Sequence, residues 1–192
     1  MTEEHGDHRV LIAGVGNVFL SDDGFGVEVA RRLAGIELPG HVEVADVGVR
    51  GVDLAYRLLD GYGRCILVDA CARGGVPGDL YRIDASPGAG TAGTDGAGSS
   101  SGHVPLDGHR MTPDTVLALL GTLSAGTGAR PPDRIEVVGC EPAELEEGMG
   151  LSAPVEAAVP RAVALILDLL EQEPNPDTAP ITTAPTTSMG AH

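Results

Sequence analysis

The sequence alternates short apolar segments with amphipathic ones, and this alternation restricts the fold more than any other feature. Five segments have the apolar or alternating pattern of strands, at residues 10–13, 41–48, 64–70, 78–84 and 134–142. Four carry apolar residues at helical spacing, at residues 24–35, 51–63, 112–123 and 153–173. Strands that alternate with helices predict an α/β protein with a doubly wound, mostly parallel twisted sheet of about five strands and helices on both faces.

Local signals refine three of these elements. The segment 64–70 is apolar enough to be buried on both faces of a sheet. Thr112 and Pro113 are typical of an N-cap and of a first helical residue, so the third helix should begin there. Pro160 falls inside the last helical segment, which predicts a kink or a late start of that helix.

The composition changes in two places. Residues 86–108 are rich in Gly, Ser and Ala, which is typical of a flexible loop. Residues 174–192 are rich in Pro, Thr and Ala, which predicts a disordered tail. We therefore expect one α/β domain over residues 1–173, interrupted by the loop and followed by the tail.

The charge balance excludes several kinds of partner. With 12 basic and 28 acidic residues the chain has a net charge of −16, which argues against binding to nucleic acid or to an anionic membrane surface. No apolar run approaches the ~20 residues of a membrane span, and the acidic N-terminus does not resemble a signal peptide. A cytoplasmic protein is the expectation.

Acidic residues follow the predicted strands at the edge where ligands bind in such sheets. Asp22 and Asp23 come after the first strand, Asp46 closes the second and Asp69 closes the third, while His109 precedes the third helix. Carboxylates gathered at one edge repel each other, and the chain contains no Lys to offset them. Carboxylate and imidazole groups suit a divalent transition metal such as nickel, zinc or manganese, so this edge is a candidate metal site.

Other interpretations of the same residues stay open. The Gly-x-Gly at 14–16 and an acid at Asp46 also occur in dinucleotide-binding folds, although Phe19 stands where a third glycine belongs. Asp22 and Asp23 could cap the helix that follows them. Cys71 lies close enough to Asp69 in sequence to be considered as a nucleophile.

Four motifs resemble those of one enzyme family, the hydrogenase maturation proteases. They are GVGNVFLSDDGFGVEVARRL, VEVADVGVRGVDLAYRLLD, CILVDA and VVGCEPAELEEGMGLSAPVEAAVPRAV, in the order of the family. The resemblance implies a doubly wound sheet and a metal-dependent hydrolase of the endopeptidase type. Its partner would be the large-subunit precursor of a nickel–iron hydrogenase, from which the family cuts a C-terminal extension once nickel is in place.

The resemblance also implies the site residues. The metal ligands of the family correspond here to Asp23, Asp69 and His109, and the first of them is often Glu in the family. Asp46 corresponds to a further acid near the cleft. His103 lies in the same Gly-rich region and competes with His109 as the ligand.

Two mechanisms are compatible with the resemblance. In one, nickel carried by the precursor is the recognition element and is bound by the three ligands. In the other, a metal bound in the cleft activates water or polarises the scissile carbonyl, and Asp46 acts as the base. The alternative function is a nucleotide- or metal-binding module without peptidase activity.

Overall fold

The computed structural model describes residues 9–87 and 113–172. The strands are β1 (Val10–Val15), β2 (Val42–Gly48), β3 (Arg64–Ala70), β4 (Leu80–Asp84) and β5 (Arg134–Cys140). The helices are α1 (Phe25–Leu33), α2 (Gly51–Leu58), α3 (Pro113–Thr127) and α4 (Ala153–Glu171), and a 3-10 turn at Ser21–Gly24 leads into α1. The predicted loop 86–108, apart from residues 86 and 87, and the predicted tail 174–192 lie outside the described residues.

The five strands form one sheet in the order β2-β1-β3-β5-β4. Strand β1 pairs in parallel with β2 and β3, and β3 pairs in parallel with β5, whereas β4 runs antiparallel to β5. The sheet is therefore mixed, and the prediction of a mostly parallel sheet is corrected. The reason is the short link between β3 and β4 at residues 71–79, because a parallel crossover needs a dozen or more residues and usually a helix.

Side chains that alternate along the strands build two cores, one on each face of the sheet. Leu11, Ala13 and Val15 face the core that α2 and α3 cover. Ile12 faces the core that α1 and α4 cover. Strand β3 contributes to both cores and is buried over its first six residues, as the apolar segment 64–70 predicts.

Helix boundaries agree with most of the local signals. Pro113 is the first residue of α3, while Thr112 lies outside the described residues. Helix α4 begins at Ala153 and contains Pro160, so the predicted late start is wrong. Pro154 suits the first turn of α4, where no intrahelical hydrogen bond is lost. No helix in the two described ranges has the combination of length and apolar character that a bilayer crossing requires.

Two glycines let α1 lie directly on the ends of β1 and β3. A Cβ on Gly26 would overlap the carbonyl oxygens of Val15 and Val68, and one on Gly14 would overlap the carbonyl oxygen of Gly26. Backbone atoms on both sides leave no room to adjust. The close approach brings the segment before α1 to the carboxyl edge of the sheet.

This packing predicts the effect of a single methyl group. Gly26→Ala should lower the free energy of unfolding by about 3 kcal/mol, because the new Cβ meets two backbone carbonyls. Gly121→Ala, in α3, is the matched control, since its Cβ would meet nothing within 4 Å. The control should raise the free energy of unfolding by roughly 0.5–1 kcal/mol through helix propensity. Urea unfolding of both variants measures this, and equal effects would contradict the close packing.

Candidate functional site

Asp23 and Asp69 come together at the carboxyl edge of the sheet. Asp69 is the last but one residue of β3 and is only 4% exposed. Gly16, which follows β1, has a φ of +130°, and a Cβ there would overlap the carbonyl oxygen of Asp23 and lie 3.7 Å from Oδ1 of Asp69. A glycine at this turn therefore lets Asp23 fold back towards the end of β3. Asp23 and Asp69 therefore lie close together at this edge, as the sequence predicts.

The turn after β1 directs its backbone N–H groups at protein acceptors. The N–H of Gly16 donates to the carbonyl oxygen of Gly48 over 3.1 Å. The N–H of Asn17 donates to Oδ2 of Asp23 over 2.7 Å, and the N–H of Phe19 donates to Oδ1 of Asn17 over 3.0 Å. In a dinucleotide-binding loop such groups would cradle a phosphate. Here they are engaged, and a carboxylate lies where an anion would bind.

The electrostatics of Asp69 reflect its position. Burial raises the pKa of the Asp69 carboxyl well above its ordinary value of 3.8, and the nearby charge of Asp23 raises it further. The N–H of Ala70 acts in the opposite direction by hydrogen bonding. Ionised Asp69 is therefore costly in the folded protein, and a cation between the two carboxylates would remove much of that cost.

Asp46 lies at the same edge on the neighbouring strand. It pairs with Gly14 of β1, and its side chain is exposed. Its Oδ1 lies 3.8 Å from the position of a Cβ on Gly48, the residue that accepts the hydrogen bond from Gly16. Asp46 thus borders the turn that carries Asp23, in a place open to solvent.

The described residues supply two of the three predicted metal ligands. No group of three or more His, Cys, Asp or Glu side chains with a geometry suited to a metal ion occurs within residues 9–87 and 113–172. His109 and its competitor His103 both lie outside these ranges, so that their choice as ligands stays a prediction. Asp23 and Asp69 are the two predicted ligands that the described residues include, and of these Asp69 is buried.

Asp22, the residue before Asp23 in the sequence, has a structural role. Its carboxylate is fully buried and accepts hydrogen bonds from the backbone N–H groups of Ala143 (2.8 Å), Glu144 (3.1 Å) and Ser152 (2.6 Å). The hydroxyl of Ser152 donates a fourth, over 2.8 Å. Neither the 3-10 turn nor α1 has a side-chain cap, so the interpretation of Asp22 as a helix cap is wrong. Asp22 joins the link between β5 and α4 to the segment that holds Asp23.

Glu141 is another buried acid, and it was not among the residues predicted from the sequence. Its carboxylate accepts hydrogen bonds from the N–H groups of Arg73 (2.8 Å) and Gly74 (3.1 Å) and from the hydroxyl of Tyr81 (2.7 Å). These contacts order the link between β3 and β4, which follows Asp69 directly. No local sequence pattern distinguishes Glu141 from the exposed glutamates near it.

Cys71 is poorly suited to be a nucleophile. Burial, together with the charge of Asp69, raises the pKa of its thiol to about 12. A cysteine needs its thiolate form to attack a carbonyl, and that form is scarce at neutral pH when the pKa is so high. This geometry argues against the cysteine mechanism considered from the sequence.

Proteins similar to this chain in sequence and fold are hydrogenase maturation factors. Hydrogenase expression/formation protein HupM of Azotobacter chroococcum mcd 1 is 32% identical over 169 residues, covering 85% of this chain and 72% of the relative. Hydrogenase 2 maturation protease of Escherichia coli strain K12 is 29% identical over 169 residues, covering 85% and 92%. The crystal structure of a hydrogenase 2 maturation peptidase from a Thaumarchaeota archaeon superposes with a TM-score of 0.61 at 30% identity, covering 86% and 99%. No protein-family model matches the sequence.

The hydrogen bonds of Asp22 predict a loss of stability on amide substitution. In Asp22→Asn one acceptor oxygen becomes an NH2 group that faces N–H or O–H donors. The free energy of unfolding should fall by about 1–3 kcal/mol, the cost of buried polar groups left without partners. Asp23→Asn is the matched control, because its amide oxygen can still accept the single hydrogen bond from Asn17. Chemical unfolding compares the two, and equal losses would contradict the separate roles of the two aspartates.

The raised pKa of Asp69 predicts a pH-dependent stability. The folded state holds the Asp69 proton more tightly than the unfolded state, so its contribution is complete below the unfolded pKa and is lost as pH rises through the folded pKa. Asp69→Asn lacks this loss. The free energy of unfolding of the variant, relative to the wild type, should therefore grow as pH rises above 3.8. Thermal and urea unfolding with a chelator present measure this, and a difference that does not change with pH would refute it.

Proposed function

The chain belongs to the hydrogenase maturation proteases, and on that premise we propose that it removes the C-terminal extension from a nickel-loaded hydrogenase large-subunit precursor. The resemblance carried by the four sequence motifs is confirmed by these relatives, and the protein is a hydrolase of the endopeptidase type. Its substrate is a polypeptide that carries a metal ion near the bond to be cut.

The observation that carries the proposal is the pairing of Asp23 with Asp69. Two carboxylates close enough for one to raise the pKa of the other form a place where a divalent cation is favoured. Nickel on the precursor is the cation that we propose. The precursor would provide the rest of the nickel coordination, so the peptidase would need to supply only part of it.

His109 is the proposed third ligand, and the position of α3 supports it. Helix α3 precedes β5, which begins at the amino edge, so α3 begins at the carboxyl edge. The charge of Asp114, in the first turn of α3, acts on Cys71, which lies two residues after Asp69. His109 precedes Pro113 by four residues, a reach of about 14 Å at full extension, whereas the reach from His103 is about 35 Å.

Recognition through nickel explains why cleavage would wait for metal insertion. Without a metal ion, burial and the charge of Asp23 make ionisation of Asp69 unfavourable. A nickel ion on the precursor would favour the ionised form and would be attracted by both carboxylates. The free energy of binding is thereby coupled to the state of the precursor rather than to the sequence of its extension alone.

Asp46 is the proposed general base for hydrolysis. Its carboxylate is exposed beside the turn that carries Asp23, so it can reach a water molecule next to a bound peptide. Asp46 would take a proton from that water as its oxygen attacks the scissile carbonyl, and would pass the same proton to the amide nitrogen as the C–N bond breaks. In the competing mechanism a metal held in the cleft would supply Lewis-acid chemistry, and Asp23 and Asp69 would hold it.

The alternative of a nucleotide-binding module has little support from the geometry. The N–H groups of Gly16 and Asn17 are taken by protein acceptors, and Asp23 would repel a pyrophosphate. The known relatives are proteases. A metal-binding role without peptidase activity would not require a general base such as Asp46.

Cleavage of the precursor tests the proposal directly. Nickel-loaded precursor should release a short C-terminal peptide, whereas nickel-free precursor should stay intact. Asp23→Asn, Asp69→Asn and His109→Ala should each reduce the cleavage rate by on the order of 100-fold, because the first two remove the negative charge of a ligand and the third removes the imidazole nitrogen. Mass spectrometry of the products measures the reaction.

The control is His103→Ala, which should cleave like the wild type. Loss of activity in His103→Ala together with retention in His109→Ala would mean that the other histidine is the ligand. Full activity in both aspartate variants would refute the metal assignment. Equal cleavage of loaded and nickel-free precursor would remove recognition through nickel while leaving the peptidase activity in place.

A further inference from the structure

An apolar surface lies on the segment that carries Asp23 and on the link that is hydrogen bonded to it. Its side chains are Val18 and Phe19, from the segment between β1 and α1, and Met149, from the link between β5 and α4. Phe19 is 64% exposed and Met149 is 82% exposed, and Val18 is exposed as well. We refer to Val18, Phe19 and Met149 as the apolar rim.

Hydrogen bonds between the two segments fix the backbone of the apolar rim. The N–H of Gly148 donates to the carbonyl oxygen of Phe19 over 3.0 Å, and the N–H of Ser21 donates to the carbonyl oxygen of Gly148 over 3.0 Å. The hydroxyl of Ser21 also donates to the carbonyl oxygen of Glu146 over 3.1 Å. The segment that carries Met149 is thus held against the segment that carries Phe19, so both side chains are exposed from an ordered backbone.

The apolar rim is continuous with the site. Phe19 donates its N–H to the side chain of Asn17, whose own N–H binds the carboxylate of Asp23. Phe19 is therefore linked to Asp23 through a single residue, Asn17, on one ordered segment. Isolated exposed apolar residues are common on proteins, but a group on a hydrogen-bonded scaffold beside a candidate site is typical of a binding surface.

The charge around the apolar rim restricts what can bind. Glu144, Glu146 and Glu147 belong to the same link as Met149, and all three side chains are exposed. An acidic occupant would be repelled by them, and a basic residue would be attracted. The surface therefore fits a peptide in which an apolar side chain stands close to a basic one.

We propose that the apolar rim binds the C-terminal segment of the precursor, with an apolar side chain against Phe19 and Met149 and a basic residue near the three glutamates. This proposal rests on the proposed function and identifies the part of the substrate that the protein reads besides the metal ion. Since the backbone of the rim is already ordered, binding costs little conformational entropy on the side of the protease. The rim contributes to affinity, and the carboxylates contribute to the requirement for nickel.

The test measures precursor binding and precursor cleavage separately, with nickel-loaded precursor in both. Phe19→Ser and Met149→Ser should each raise Kd and KM by about tenfold, while kcat stays within about twofold, because they remove uniform binding. Replacing Glu146 and Glu147 together with Gln should weaken binding and reduce its dependence on salt. Ile36→Ser is the matched control: Ile36 is 40% exposed and follows α1, at the opposite edge of the sheet.

The outcomes separate this proposal from the proposed function. If the wild type cleaves and the rim variants match Ile36→Ser in Kd and KM, the proposal fails and the proposed function stands. If the wild type binds the precursor without cleaving it, and the rim variants weaken binding, the proposed function fails and the proposal stands. Absence of both binding and cleavage overturns both.

Two further results would also overturn the assignment of the occupant. A fall in kcat without a change in KM would mean that the rim shapes the reacting groups instead of binding substrate. A dimer of the wild type that Met149→Ser dissociates, seen by sedimentation, would mean that a second copy of this chain covers the rim. The melting temperature of each variant shows that its fold is intact.

Discussion

The buried carboxylate of Asp22 is the interaction on which the arrangement of the carboxyl edge depends. A charged group without solvent is tolerated only when its oxygens are fully hydrogen bonded, and here three backbone N–H groups and one hydroxyl meet that requirement. All four donors come from the link between β5 and α4. That link has no regular structure of its own over most of its length, so the carboxylate gives it a definite place against the turn after β1.

Asp22 and Asp23 show how adjacent identical residues acquire opposite roles. The first is enclosed by donors, which stabilise its negative charge. The second faces Asp69, whose pKa is raised by burial and by this neighbour. The folded protein thus keeps the charge of Asp23 close to Asp69, which is unfavourable, and hydrogen bonds the carboxylate of Asp22, which is favourable. Retaining such repulsion makes sense where a positive ligand is to be bound.

Much of the fold was predictable because it depends on local periodicity. Strand β3 (Arg64–Ala70) has the predicted boundaries 64–70. Helix α3 begins at Pro113, the residue that the sequence predicts as its first. The direction of β4 was misjudged, although the sequence shows no helix between β3 and β4. The number of strands could be predicted by counting the apolar segments. The direction of β4 depends instead on the length of the link between β3 and β4, which is too short for a parallel crossover.

The site was predictable in part for the same reason. Asp46 and Asp69 lie near the ends of strands and Asp23 follows one, and strand ends gather at one edge in any sheet of this kind. The partners of Asp22 lie more than 120 residues further along the chain, and no local pattern records such a contact. Glu141 was missed for a related reason, because it orders a neighbouring link through backbone N–H groups that carry no sequence signature.

The reversed direction of β4 has a consequence for the length of the chain that follows it. Strand β4 ends at the amino edge, whereas α3 begins at the carboxyl edge, so the connection between them must span the height of the sheet. Strand β5 has seven residues, and at about 3.3 Å per residue the sheet is about 23 Å high. An extended chain of roughly seven residues can span that height. The connection at residues 85–112 is several times longer than this minimum. Because loop-closure entropy changes by only about 0.6 kcal/mol for each doubling of length, related chains can gain or lose residues here at small cost, down to that geometric limit.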